Sequence, residues 1–190
     1  MPKRRRLKRS GNNALMDNRK VVREMNWTIY CVECVASIVI FTCAIMIPLC
    51  RNPIWWIHDY PPDIQEKYFE NHERIPTQPL SAPVLMKKGM ALLACLAVFV
   101  GLSWLAGARS FSAAFLSSYG LWLLVDWYDC FFLDWVLFAN LKRIRLPGTE
   151  HMDNAYHQKL YHVRQSAIGM ALGLIPCLLC GGIVALIAQQ

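Results

Sequence analysis

Apolar residues recur along the chain in four long runs, at about residues 26–50, 89–107, 111–133 and 167–188. A bilayer core of roughly 30 Å is crossed by about 20 mainly apolar residues wound as a helix. Lipid offers the backbone no hydrogen-bond partner, so such runs close their bonds within the segment as helices. The pattern predicts an all-α protein, an integral membrane bundle of four transmembrane helices, with residues 26–188 as one membrane domain. Polar segments punctuate it: a basic tail over 1–25, a loop over 51–88, the short turn "GARSF" and a loop over 140–165. Four crossings put the two long loops on the same side, whichever way the chain inserts.

Composition sharpens the class. The 190 residues are 55% apolar and only 17% charged, which argues against a soluble domain with a single core. The first run is too long for the core of a signal peptide, and no small-residue cleavage pattern precedes Arg51, so it is expected to stay in the mature protein. The net charge is +7, yet nine of the twenty basic residues lie in the first 23. Such a tail faces anionic headgroups on the cytoplasmic side. The tail and "GARSF" hold ten basic residues and the two long loops hold ten, so the denser charge of the tail decides for a cytoplasmic amino terminus. No aromatic residue is interleaved with those charges, which argues against nucleic acid as a partner. The expected partners are the lipid bilayer, anionic headgroups at the tail, and a second copy or another membrane protein. The eight cysteines lie almost wholly within the apolar runs, unlike a secreted disulfide framework.

Within the first long loop, Trp55 and Trp56 suit the headgroup layer, and Pro61 and Pro62 interrupt any helix. "DIQEKYFENHER" has the spacing of a short surface helix lying on the membrane, with Ile64, Tyr68 and Phe69 on its apolar side. In the last run Gly169 and Gly173, four apart, permit close helix approach, and Pro176 is a possible hinge.

The candidate chemistry lies where the third run ends, in "VDWYDCFFLDWVLFAN". At about 100° per residue, Asp129 falls roughly 60° to one side of Asp126 and Asp134 roughly 80° to the other, so the three acids share one broad face. The same end holds all five histidines, His58, His72, His151, His157 and His162. Beyond the Pro147-Gly148 break, Asp153, His157 and Tyr161 at four-residue intervals share a helix face. Carboxylates with imidazoles suit a divalent metal such as zinc, manganese or iron, and acids inside a membrane are functional suspects. Asp126, Asp129, His151 and His157 are the candidate metal ligands. No dedicated signature supports them: HExxH is absent, and His157 and His162, five apart, point about 140° from each other on an α-helix. The competing expectation is that the acids pair with Lys142, Arg143 and Arg145, which also complement the carboxyl end of the helix. Glu33 is expected to snorkel or to pair with Arg23.

Two enzyme analogies are weaker. "DWYDCFFLD" lacks the spacing of aspartate-rich membrane prenyltransferases and CDP-alcohol phosphotransferases. "CVEC" and "CLLC" resemble the CxxC pairs of quinone-linked thiol oxidoreductases, but the chain lacks their exposed loop cysteines, and buried cysteine is commonly an apolar filler.

"HDYPPDIQEKYFE" and "DWYDCFFLDWVLFANLKRIRLPGTEHMDNAYHQ" together resemble segments of small uncharacterised bacterial multi-span membrane proteins, which carry DYPP-x-IQ after the first span and Asp-Trp followed by Pro-Gly-Thr-Glu after the third. The resemblance covers about a quarter of the chain. It implies a multi-pass protein of the bacterial cytoplasmic membrane and supplies no catalytic residues. The expected function is that of a membrane interaction or accessory component with a polar site at one end of the bundle. The alternative is a small metal-dependent membrane enzyme using the Asp and His cluster, with a thiol redox protein or a transporter behind it.

Overall fold

A computed structural model describes residues 25–75 and 81–190. Among the described residues the chain is helical throughout, with no strand. Helix α1 (Trp27–Arg51) is followed by a 3₁₀ turn (Pro53–Asp59) and a short helix α2 (Pro62–Phe69). Next come α3 (Ala82–Leu105) and α4 (Phe111–Tyr128), which continues without a break as a π-helical segment (Asp129–Phe138). A 3₁₀ turn (Lys142–Ile144), the one-turn helix α5 (Asp153–Tyr156) and the long helix α6 (Lys159–Ile187) complete the order. Residues 1–24 of the expected basic tail lie outside the described residues.

Among the described residues three helices are long and apolar enough to cross a membrane: Trp27–Arg51, Ala82–Leu105 and the stretch within Asp153–Ile187. The expected fourth span, from residue 111, is not among them. The run from residue 111 is helical, but Ser117, Ser118, Tyr119, Gly120 and Asp126 dilute its apolar character. The three apolar helices leave large side chains uncovered, including Val35 on α1, Leu93 on α3 and Leu172 on α6, each more than half exposed.

The chain divides into two compact units. The first comprises the described part of Met1–Cys34 with Lys87–Leu121 and Gly173–Gln190. Its interior is small and hydroxylated. Tyr30 O–H donates to the Ser117 carbonyl at 3.1 Å, Ser117 Oγ–H donates to Ser103 Oγ at 3.1 Å, and Ser103 Oγ lies 3.6 Å from Cys180 Sγ. These contacts join α1, α3, α4 and α6. A Cβ on Gly120 would sit 2.8 Å from the Tyr30 hydroxyl, so the bare backbone there is what admits the ring. Glu33 is buried in this unit, with Oε1 unpartnered among the described residues, and does not snorkel; Arg23, its other expected partner, lies outside the described residues. Cys177 and Cys180 are buried free thiols.

The second unit comprises the described part of Val35–Met86 and Trp122–Leu172. Its core is a cap built from both long loops. Tyr60, Ile64 and Tyr68 pack with Phe138, Ile144, Leu146 and Tyr156 in one buried cluster. Here the structure corrects the surface-helix expectation. The Pro61-Pro62 pair ends the 3₁₀ turn and starts α2, as proline suits a helix's first turn. The apolar face of α2, at Ile64 and Tyr68, is then buried in protein and does not lie on lipid.

Hydrogen bonds fix the cap. Tyr60 O–H donates to the Ile144 carbonyl at 2.6 Å. The Leu146 N–H donates to the Tyr156 hydroxyl at 3.0 Å, and that hydroxyl lies 2.7 Å from Thr149 Oγ1. Gln158 Nε2 donates to Asp63 Oδ2 at 2.7 Å. Gly148 turns the chain with a φ of 82°, a conformation that only glycine adopts without strain. The segments "DYPP" and "PGTE" thus belong to one folded object.

Candidate functional site

The site begins with the winding of α4. In α geometry Asp129 and Asp134, five residues apart, would point about 140° away from each other. From Asp129 to Phe138 the helix is π-wound, with bonds spanning five residues, and the Ala139 N–H still donates back to the Asp134 carbonyl. Wider winding brings residues five apart near one line along the axis. Asp129 and Asp134 consequently line the same cavity.

That cavity holds about 390 Å³ and lies within the second unit. Helix α1 contributes Ile45 and Leu49; the 3₁₀ turn and the residue after it contribute Trp56, His58, Asp59 and Tyr60. Asp129, Asp134 and Phe138 come from the π-helical segment, and Tyr161, His162 and Gln165 from α6. Three carboxylates and two imidazoles thus line a cavity with aromatic walls, His58 and Asp59 on its exposed side, and no lysine or arginine among the described residues lines it.

His162 Nδ1–H donates to Asp134 Oδ2 at 2.8 Å. An ionised carboxylate can only accept, so this bond keeps a proton on Nδ1 and leaves the neutral ring's lone pair on Nε2. Nε2 is buried and has no partner among the described residues. Edge-on contacts from Phe138 and Tyr161, with ring centroids 5.6 Å and 5.3 Å away, hold the imidazole. Asp59 has its carboxyl pushed above the ordinary aspartate range by burial; His58 beside it offsets part of the effect and the Asp134 charge adds to it.

The four candidate ligands fall in different surroundings. Asp129 lines the cavity. Asp126 packs against the bare backbone of Gly169 on α6, where a Cβ would meet its carboxylate, and its Oδ2 is buried without a partner among the described residues. His151 is exposed, and His157 turns its Nδ1 to the Asp153 carbonyl at 2.7 Å. The expected helix face of Asp153, His157 and Tyr161 does not form, because α5 ends at Tyr156 and α6 starts only at Lys159. That break lets the Tyr156 ring drop into the core. Among the described residues, no group of three or more His, Cys, Asp or Glu side chains is gathered to hold a metal ion.

No family model, curated protein or solved structure matches this chain.

The basic residues after α4 also depart from expectation. Arg145 pairs with Asp153 at 2.5 Å and donates to the Glu150 carbonyl at 2.6 Å, with its guanidinium 4.8 Å from the Tyr156 ring centre. It braces the cap and does not neutralise the acids of α4. The participation of His162, His58 and Asp59 was legible only as membership of a polar end; their convergence depends on the π winding and on the fold of the cap.

Proposed function

We propose that the chain is a multi-pass membrane protein that binds a cationic ligand in the cavity of its second unit, acting as a binding or accessory component. One observation carries this reading. Asp59, Asp129 and Asp134 line one cavity, and no lysine or arginine among the described residues joins them there. Like charges gathered on one cavity disfavour one another's ionised forms, and a positively charged guest offsets that repulsion.

Four spans remain part of the proposal, with α4 as the fourth, a cytoplasmic amino terminus and a place in a bacterial cytoplasmic membrane. The exposed apolar faces of α1, α3 and α6 support a lipid setting, and the "DYPP" and "PGTE" resemblance supports the location. Reporters fused at residue 75 and at Gln190 test the topology: with four spans and the amino terminus inside, the fusion at Gln190 reports from the cytoplasm and that at residue 75 from outside.

Binding is tested by thermal unfolding of the purified full chain against a panel of inorganic and organic cations and anions. Saturable stabilisation by at least one cation and by no anion is expected; stabilisation by anions alone overturns the reading. A metal-dependent enzyme is the second reading. The Asp134–His162 hydrogen bond favours it, since metal-binding imidazoles are commonly oriented by a carboxylate in this way. Stoichiometric metal in the purified protein, lost in Asp129→Asn, would support it.

A further inference from the structure

Glu33 stands apart from the cavity of the second unit. It belongs to α1, a helix long and apolar enough to cross a membrane, and at about 1.5 Å per residue it lies roughly 9 Å past Trp27 along the axis. The residue is 8% exposed, and its Oε1 is buried with no hydrogen-bond partner among the described residues. Acids inside a span are costly and are functional suspects for that reason.

The surroundings of Glu33 decide its protonation. A small void beside it is lined by Tyr30 of α1, Phe99 and Ser103 of α3, and Ser117 and Ser118 of α4. The void has no room for a water molecule. Every hydroxyl in the lining turns its hydrogen to another acceptor. Tyr30 donates to the Ser117 carbonyl at 3.1 Å, and Ser118 to the Ala114 carbonyl at 2.7 Å. Ser117 has Ser103 Oγ and the Ala114 carbonyl as acceptors, each at 3.1 Å, and Ser103 reaches the Ala114 carbonyl at 3.5 Å. The ionisable neighbours are a phenol and thiols: Tyr30 and Cys34 on α1, with Cys180 beside Ser103 and Cys177 beside Ser118 on α6. Among the described residues, α3 and α4 bring no ionisable group to the void, and no lysine, arginine or histidine lines it.

A carboxylate held there would lack water, donor and countercharge, and an isolated buried charge is avoided by neutralising the group. A metal cation needs several oxygens and space for itself among them, which a void closed to water does not offer. A proton needs no space. We propose that Glu33 is a proton-binding site inside the first span: α1, α3 and α4 close around a carboxylic acid, and loss of its proton favours their separation. The two events are linked, because the carboxylate is stable only where water reaches it. This site is independent of the cavity of the second unit, so either reading can fail alone.

Infrared spectra of the full chain in dodecyl maltoside, a detergent without carbonyl groups, test the assignment. Near neutral pH the C=O band of an un-ionised carboxylic acid is expected in the wild type and should be missing from Glu33→Gln and, independently, from Glu33→Met. Isotopic labelling of glutamate carboxyls should shift the band, which separates it from Asp126 without any variant. From neutral to alkaline pH the unfolding temperature should fall more steeply in the wild type than in either variant, since folding takes up a proton at Glu33; a cooperative transition shows that each variant is folded. A wild-type spectrum without the band overturns the proposal, and its emergence in Arg23→Gln would identify an ion pair in place of the proton. Loss of the band in sodium chloride but not in choline chloride would make this a sodium site and overturns the proposal as well. Equal pH dependence in wild type and variants overturns the link between the proton and the packing.

Discussion

His162 and Asp134 share a proton-bearing contact of 2.8 Å, and the imidazole is almost wholly enclosed. Removing the acceptor strands a buried N–H, which costs about 1–3 kcal/mol. Asp134→Ala should therefore lower stability by about that amount, while Asp134→Asn, whose amide oxygen can still accept, should cost distinctly less. Equilibrium unfolding in detergent decides it. Equal losses in the two variants would show that the contact contributes nothing.

The cap offers a graded pair. Tyr156→Phe removes the acceptor of the Leu146 N–H as well as the partner of Thr149, and should cost about 1–3 kcal/mol. Tyr60→Phe removes one donor to the Ile144 carbonyl and should cost nearer 1 kcal/mol. Amide hydrogen exchange at Leu146 should accelerate in Tyr156→Phe and stay nearly unchanged in Tyr60→Phe.

Two glycines of α6 should respond in opposite ways to alanine. A Cβ at Gly169 meets the Asp126 carboxylate, and overpacking of this kind typically costs about 1–3 kcal/mol. A Cβ at Gly182 meets nothing within 4 Å, so Gly182→Ala should be neutral or gain up to about 1 kcal/mol of helix propensity. Adding Asp126→Ala should restore much of what Gly169→Ala loses, because the crowding atoms are gone. Without that rescue in a double-mutant cycle, the close approach is not the cause.

Acid has two opposing effects. The Asp59 carboxyl is raised by burial, with His58 offsetting and Asp134 adding. Its folded form binds a proton more tightly than the unfolded chain does, so this group adds stability as pH falls toward the raised value. Asp153 is lowered by the Arg145 hydrogen bond and charge, so its contribution is present above the ordinary carboxyl range and lost as pH falls through its depressed value. Asp59→Asn should accordingly raise the unfolding temperature near neutrality, with the gain shrinking on acidification. A gain that is independent of pH would exclude the charge of Asp59 as the source.

Much of this architecture is legible in the residues. Apolar runs locate α1, α3, α4 and α6, because a helix in lipid must be apolar for about the core's thickness. Their ends move in the structure: α3 begins at Ala82 and carries Lys87 and Lys88 within it, and α6 begins at Lys159. The crowding of acids and histidines at one end is also visible. The partners they take are not. Asp126, Asp129 and Asp134 share a broad face only if every residue turns about 100°, and nothing in "DCFFLDWVLF" announces a wider turn. Tyr156 enters the core because the chain breaks at His157, a tertiary choice that overrides the four-residue periodicity of Asp153, His157 and Tyr161. Ile64 and Tyr68 form the apolar side read from spacing, but spacing does not say whether protein or lipid covers it.

The π-helical segment ties the count of residues at the cavity to the winding of the helix. Deleting one residue between Asp129 and Asp134 and letting the segment relax to ordinary winding would leave the two acids four apart, a spacing that an α-helix also puts on one face. A single-codon gap and a change of winding can therefore cancel, so that a relative one residue shorter here keeps the same pair of acids side by side, while one of equal length with ordinary winding turns them apart.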